Sequence, residues 1–239
     1  MKALIDGDVI RYSCGFACEG EPIENCLHTV KLMMERILRA TKATEHVLYI
    51  TGSGNYRNDI AVTKVYKGNR PNLKPTYFNE ILDYMLRKYN VEIVHDKEAD
   101  DAMGTEQYWD IYHRWPEKTT DAGLDTVICT LDKDLDMIEG QHYNWRKDLS
   151  YYVTEGYATK FFYTQLLMGD PTDNIQGIKG CGKVGATTII NSCADEEEMY
   201  WKVLCEYEKA YKEPFKVMME MAHLLWIQRE DGVLWQPKW

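Results

Sequence analysis

The chain has 239 residues, 45% of them hydrophobic, enough for one good core or for an α/β domain with a small helical addition. No apolar run approaches the roughly 18 residues a membrane span needs. The start, Met1-Lys2-Ala3-Leu4-Ile5-Asp6, lacks the design of a signal peptide, so no membrane partner and a cytoplasmic location are expected. The net charge of −10 speaks against a nucleic-acid partner unless the acid is concentrated in one place.

In chain order, Ala3-Leu4-Ile5 reads as a buried strand and Ile23 to Ala40 as a helix with Leu27, Val30, Met34, Ile37 and Leu38 among its apolar positions. Val47-Leu48-Tyr49-Ile50 is a second strand. Thr76 to Tyr89 is a helix with Phe78, Ile81, Leu82, Met85 and Leu86 on one stripe. Val91 to Val94 is a third strand, Asp100 to His113 a helix, and Thr126 to Leu131 a fourth strand. This alternation predicts an α/β fold with a mainly parallel twisted sheet flanked by helices. Helices then dominate: Ala158 to Met168, Val184 to Asn191, Glu196 to Tyr211 and Phe215 to Gln228. Residues 1–153 are expected to form the sheet domain and 154–239 a helical portion. The seven cysteines are scattered and odd in number, which predicts free thiols. Cys14, Cys18, Cys26 and His28 do not have the usual spacing of zinc ligands.

Ten carboxylates fall in four short motifs: Asp6 and Asp8; Glu98, Asp100 and Asp101; Asp132, Asp134 and Asp136; Asp170 and Asp173. Without these ten, 28 acidic groups face 28 Lys plus Arg, so the motifs account for the whole net charge. Three of the motifs follow predicted strands, where parallel sheets build their sites. Two carboxylates about 4 Å apart repel by roughly 4 kcal/mol at an effective dielectric of about 20, so such a cluster calls for cations. Hard oxygen donors favour Mg²⁺ or Mn²⁺ over zinc. Two such ions about 4 Å apart can clamp the attacking and leaving oxygens of a phosphodiester.

A glycine-rich stretch follows the fourth motif. Gly177, Gly180 and Gly182 free the backbone to approach a ligand, and Lys179 and Lys183 stand at the start of the next helix, a place suited to phosphate. Arg57, Lys64, Lys67, Arg70 and Lys74 form the main basic stretch, interleaved with Tyr56, Tyr66 and Tyr77, which suits phosphate tracking and base stacking.

Taken together, Asp6, Tyr66-Lys67-Gly68-Asn69-Arg70, Glu98-Ala99-Asp100-Asp101, Asp132-Lys133-Asp134 and Gly169-Asp170 with Asp173-Asn174 and the glycine turn resemble the flap endonuclease/5′→3′ exonuclease superfamily. The Asp-Gly-Asp start resembles its compact bacteriophage exonucleases. The resemblance covers nearly the whole chain and implies a PIN-like fold and two divalent metals. It implies hydrolysis of DNA to 5′-phosphate products, on duplexes with 5′ ends, nicks, gaps or flaps and on RNA paired to DNA, by a monomer. It places one metal on Asp6, Glu98, Asp100 and Asp132, and another on Asp134, Asp170 and Asp173, with Asp101 nearby. Tyr66, Lys67 and Arg70 would contact the scissile phosphate as catalytic groups. Arg57, Lys64, Gly177, Lys179, Gly180, Gly182 and Lys183 would bind DNA, the glycine turn being a helix–three-turn–helix that also takes K⁺.

Two departures stand out. Many family members carry a metal-ligating aspartate just after the second strand, where this chain has Thr51-Gly52-Ser53-Gly54; Asp8, Asp59 or water is left to replace it. Only seven residues separate Arg70 from Phe78. That leaves little room for an arch that threads a single strand and favours exonuclease action over flap cleavage. A non-catalytic DNA-binding scaffold and a PIN-type ribonuclease are the rival readings.

Overall fold

The computed structural model describes residues 1–71, 73–112 and 125–239. Its elements are β1 (Lys2–Asp6), α1 (Gly7–Ala17), α2 (Ile23–Thr41), β2 (Glu45–Thr51), α3 (Arg57–Ile60), α4 (Phe78–Lys88), β3 (Val91–Val94), α5 (Ala99–Tyr112) and β4 (Thr126–Cys129). After a 3-10 turn (Lys133–Met137) come β5 (Gly140–Asn144), β6 (Leu149–Val153), α6 (Glu155–Met168), β7 (Gly169–Asp170), β8 (Ile175–Gln176), α7 (Lys183–Asn191), α8 (Glu196–Ala210) and α9 (Pro214–Leu225). The chain divides into two compact units. The first comprises Met1–Gly54, Asn72–Val153 and Arg229–Asp231; the second comprises Asn55–Pro71, Thr154–Gln228 and Gly232–Trp239.

The first unit is built on a six-stranded sheet of order β3-β2-β1-β4-β5-β6. All neighbours run parallel except β5 and β6, which form an antiparallel hairpin. β1 lies in the interior of the sheet, with Leu4 opposite Val47 on one side and Ile128 on the other. Side chains alternate between faces. Ala3, Ile5, Leu48, Ile50, Val127 and Cys129 join Ile10 of α1, Val30, Met34 and Ile37 of α2, and Ile81 and Met85 of α4 in one core. Each of the larger side chains contributes about 1.5–3 kcal/mol by burial. α5 packs on β1, β2 and β4. Strand order reverses at β1, because the chain passes to β2 and β3 on one side and returns to β4 on the other. Such a switch opens a crevice at the carboxyl ends of the strands.

Several elements differ from the sequence expectation. α1 was not anticipated, since Gly7, Val9, Ile10 and Gly15 are weak helix formers. Tertiary packing overrides propensity here. A Cβ on Gly15 would meet the Pro75 ring at 2.5 Å, and one on Gly7 would meet the Tyr49 carbonyl oxygen at 2.9 Å. The β5–β6 hairpin was also missed, because its strands carry few β-branched residues and the groups it buries, on opposite faces, include His142 and Tyr143. β4 stops at Cys129 rather than Leu131, releasing Thr130 and Leu131 to lead into the 3-10 turn. α5 starts at Ala99, one residue earlier than expected. His113, expected to end it, lies outside the described residues.

The second unit is helical. α6 packs on α7, α8 and α9. Its start is set by Thr154, whose side chain accepts the Tyr157 N–H, and α8 starts likewise on Asp195, which accepts from Glu198. Phe162, Tyr163, Tyr200 and Trp235 make its aromatic core, with ring centroids 5.3–6.4 Å apart in the pairs involving Trp235. All seven cysteines are free. Among the described residues no helix is long and apolar enough to cross a membrane.

Candidate active site

At the carboxyl end of β1, Asp6 is the last strand residue and the N-cap of α1. Its Oδ1 accepts the Val9 N–H at 3.0 Å and its Oδ2 accepts the Thr130 hydroxyl at 2.8 Å. The same hydroxyl oxygen accepts the Asp132 N–H at 2.9 Å, so one threonine ties the first acidic motif to the third. Asp132 in turn caps the 3-10 turn by accepting the Asp134 N–H at 2.9 Å. Burial pushes the Asp6 carboxyl up to about 7, and the nearby Asp8 and Asp132 add repulsion. The Asp136 carboxyl is raised by burial and accepts the Tyr151 hydroxyl at 2.7 Å.

A second threonine works on the other side of β1. Thr51 ends β2; its N–H donates to Asp8 Oδ2 at 2.9 Å, and its hydroxyl oxygen accepts the Ala99 N–H at 3.0 Å. That joins Asp8 to the Glu98–Asp101 motif at the start of α5. Within the motif the Glu98 N–H donates to Asp101 Oδ2 at 3.1 Å, and Asp101 is fully buried. Burial also raises the Asp8 carboxyl, with Glu98 contributing. Neither threonine was singled out from the sequence; their signal is a threonine at a strand end two residues ahead of an acid in Thr130-Leu131-Asp132, or beside a glycine turn.

The chemistry of this set fits a hard divalent cation: the donors are all carboxylate oxygens, and burial with like-charged neighbours raises Asp6 and Asp8. Among the described residues, however, no three His, Cys, Asp or Glu side chains converge at metal-holding distance. Asp6, Asp8, Asp101 and Asp132 accept N–H or hydroxyl donors instead.

In the second unit the fourth acidic motif meets the basic stretch. Asp170 is buried and accepts the Thr172 N–H at 2.7 Å. Asp173 accepts the Tyr66 hydroxyl at 3.0 Å and pairs with Arg70, while Lys67 Nζ lies 3.7 Å from it. The Lys67 N–H donates to the Asp173 carbonyl at 2.9 Å. Two further amides close the seam: Asn69 Nδ2 donates to Pro171 O at 2.6 Å and Asn174 Nδ2 to Val65 O at 2.9 Å. Two motifs about a hundred residues apart in sequence thus form one structure.

Two expectations change. Arg57 is 2% exposed and donates from Nε to Leu224 O at 3.0 Å and from Nη2 to Trp226 O at 2.7 Å. Its guanidinium anchors the basic stretch to the end of α9 and is not presented to DNA. Tyr66, expected at the scissile phosphate, is 6% exposed and holds Asp173 in place instead. Lys64, Lys179, Gly180, Gly182 and Lys183 are exposed, and Gly177 is packed on the backbone of Met168 and Gly169.

No family model matches the chain. Over 244 residues it is 25% identical to DNA polymerase I of Bacillus caldotenax, and over 254 residues 26% identical to that of Bacillus subtilis. These matches cover 92% and 93% of this chain but 27% of each polymerase, so the chain spans about a quarter of their length. A 5′-3′ exonuclease of Buchnera aphidicola is 25% identical, covering 82% of this chain and 72% of that protein. Among solved structures, the T5 5′-exonuclease with divalent zinc ions bound superposes with a TM-score of 0.62 at 13% identity, covering 94% of this chain and 99% of that one. The T5 D15 flap endonuclease in complex with DNA and metal ions superposes with a TM-score of 0.60 at 12% identity, covering 94% and 98%. The chain is thus similar in sequence to about a quarter of DNA polymerase I and to a 5′-3′ exonuclease, and its mainly parallel sheet flanked by helices is the PIN-like fold of the T5 5′-exonuclease.

Proposed function

We propose that this chain is a divalent-metal-dependent nuclease that degrades duplex DNA from 5′ ends to 5′-phosphate products. The observation that carries this reading is the Thr130 hydroxyl joining Asp6 to Asp132 at the point where strand order reverses, with Asp6 buried and repelled by its neighbours. Homology to a 5′-3′ exonuclease supports it.

Asp6, Glu98, Asp100, Asp101, Asp132 and Asp134 of the first unit, and Asp170 and Asp173 of the second, are the residues that would hold Mg²⁺ or Mn²⁺. When bound, such ions supply counter-charge to the carboxylates and the phosphodiester, and they acidify water. The chain's own residues do the rest. Thr130 and Thr51 orient carboxylates. Tyr66 positions Asp173, and Lys67 and Arg70 stabilise charge that develops on the phosphate. Lys64, Lys179, Lys183 and the exposed glycines hold the backbone of the duplex. In this reading activity extends to RNA paired to DNA, the turn between α6 and α7 would take K⁺, and the protein works as a cytoplasmic monomer.

Flap cleavage is the second reading, favoured by the fold shared with a flap endonuclease. End-labelled blunt, nicked and flapped duplexes separate the two. In Mg²⁺ the wild type is expected to release nucleotides from blunt and nicked 5′ ends at least as fast as it cuts flaps. Asp132→Ala should lose at least about a hundredfold of that activity, more than the loss of an outer-shell group. Undiminished digestion by Asp132→Ala would place the activity elsewhere; a large preference for flaps would select the second reading.

A further inference from the structure

We propose, on the reading of the glycine turn between α6 and α7 as part of the duplex-binding surface, that Tyr211 is a positioning residue whose hydroxyl sets the direction of that turn. All the groups involved lie within the second unit.

The turn grows out of the end of α6. Gly169 caps the helix with φ +70°, in the left-handed region, and its N–H returns to Gln165 O. A Cβ on Gly177 would lie 2.2 Å from the Met168 carbonyl carbon, so here backbone passes directly over backbone. The Ile178 N–H donates to Leu167 O at 2.7 Å. Beyond it the chain moves outward. Lys179, Gly180, Gly182 and Lys183 are exposed, and a Cβ on Gly180 or Gly182 would meet nothing within 4 Å. The Cys181 N–H closes the turn on Ile178 O at 3.0 Å, so the direction of the turn follows from the peptide that leads into Ile178.

Tyr211, the C-cap of α8, acts on that peptide. Its hydroxyl donates to Gly177 O at 2.9 Å and accepts Gln176 Nε2 at 2.9 Å. The planar unit joining Gly177 to Ile178 is therefore held on both sides, its carbonyl by Tyr211 and its N–H by Leu167. Tyr207, one turn earlier on α8, does a different job. It is fully buried, and its hydroxyl donates to Leu166 O at 2.7 Å, securing α8 on α6. Gln176, Gly177 and Tyr211 are each only partly buried, so water can take the place of the Tyr211 hydroxyl with little loss of stability. Water does not hold the peptide in one direction, and a turn that samples several directions binds more weakly in proportion to its competent fraction.

Tyr211→Phe removes the hydroxyl and keeps the ring, which lies 5.4 Å from that of Tyr207. Duplex binding to the full chain is read by fluorescence anisotropy in Ca²⁺, turnover in Mg²⁺, and melting by circular dichroism. Tyr211→Phe should weaken binding of a blunt duplex by about three- to tenfold and raise KM alike, with kcat unchanged. The slope of log affinity against log salt should keep its wild-type value, because the same lysines meet the same phosphates once the turn is seated. Tyr207→Phe is the comparison: it should lower the melting temperature further than Tyr211→Phe and leave duplex affinity at the wild-type level. Wild-type affinity in Tyr211→Phe, or an equal loss in both variants, would overturn the proposal. A wild-type protein that binds no duplex, or a Lys179→Ala, Lys183→Ala double variant that binds it fully, would instead overturn the reading of the turn on which it rests.

Discussion

His142 and Asp6 show how burial acts on single groups in opposite directions. His142 is 1% exposed on β5, stacks on Tyr151 and lies with Nε2 2.9 Å from the Ile138 carbonyl oxygen. Burial pulls its pKa down to about 4, and the Ile138 contact only partly opposes this. The folded value lies below the ordinary value of 6.5, so the stability contributed by neutral His142 is complete above about pH 6.5 and is lost as pH falls through 4. The loss is on the order of 3 kcal/mol. Asp6, raised to about 7, has the reverse sign: its contribution is present at acid pH and lost as pH rises through 7. Unfolding by urea from pH 7 to 4 should therefore show a steeper acid loss in the wild type than in His142→Gln. Parallel curves would show that His142 does not titrate in this way. Among individual residues, the acids of the candidate site were legible in the sequence because four motifs concentrated the charge. Thr51, Thr130 and the burial of Arg57 and Tyr66 were not, because they depend on partners between 2 and 169 residues away.

At the scale of elements, α9 shapes the basic stretch that precedes Tyr66. Glu220 accepts three hydrogen bonds: from Val62 N at 2.8 Å, Thr63 N at 2.6 Å and the Thr63 hydroxyl at 2.6 Å. Arg57 fixes the same stretch to the end of α9. Because Val62 and Thr63 are exposed, water can replace these bonds, and Glu220→Ala should cost only about 1 kcal/mol of stability. The local effect is larger. Hydrogen exchange at the Val62 and Thr63 amides should accelerate, and KM for DNA should rise severalfold with kcat little changed, since the duplex-holding Lys64 rides on this segment while Lys67 is held separately through its N–H to the Asp173 carbonyl. Gln at 220 should restore part of the protection. Amides as protected in Glu220→Ala as in the wild type would show that the carboxylate does not hold the stretch. The sequence disclosed the parallel strands through their apolar runs, and α2, α4 and the later helices through their period. It concealed α1 and the β5–β6 hairpin, whose stability comes from packing that local propensity does not report: glycines pressed on Pro75 and Tyr49, and a strand with buried His142 at its centre.

For the whole molecule, the proposed duplex substrate has to be reconciled with a net charge of −10. Within the second unit, Lys64, Lys179 and Lys183 are exposed, and Lys67 and Arg70 are partly exposed beside Asp173. The first unit carries the repelling strand-end acids. Attraction to DNA therefore depends on two separable quantities: the exposed cations, and how far divalent ions neutralise the acids. Each phosphate contact by a lysine releases condensed counterions and adds about 0.9 to the slope of log affinity against log salt. Replacing Lys179 and Lys183 together by alanine should lower that slope by about 2, with little dependence on DNA sequence. Divalent ions act on the other quantity. At matched ionic strength, affinity for a blunt duplex should be higher in Ca²⁺ than in EDTA. That gain should shrink in Asp132→Asn, whose site holds the ion poorly, while its affinity in EDTA should rise because one repelling charge is gone. Fluorescence anisotropy with the three proteins in both buffers, over a series of salt concentrations, reads all of these terms. An unchanged slope in the double lysine variant would remove the α6–α7 turn from the interface, and equal affinities in Ca²⁺ and EDTA would mean that the acids do not oppose the duplex.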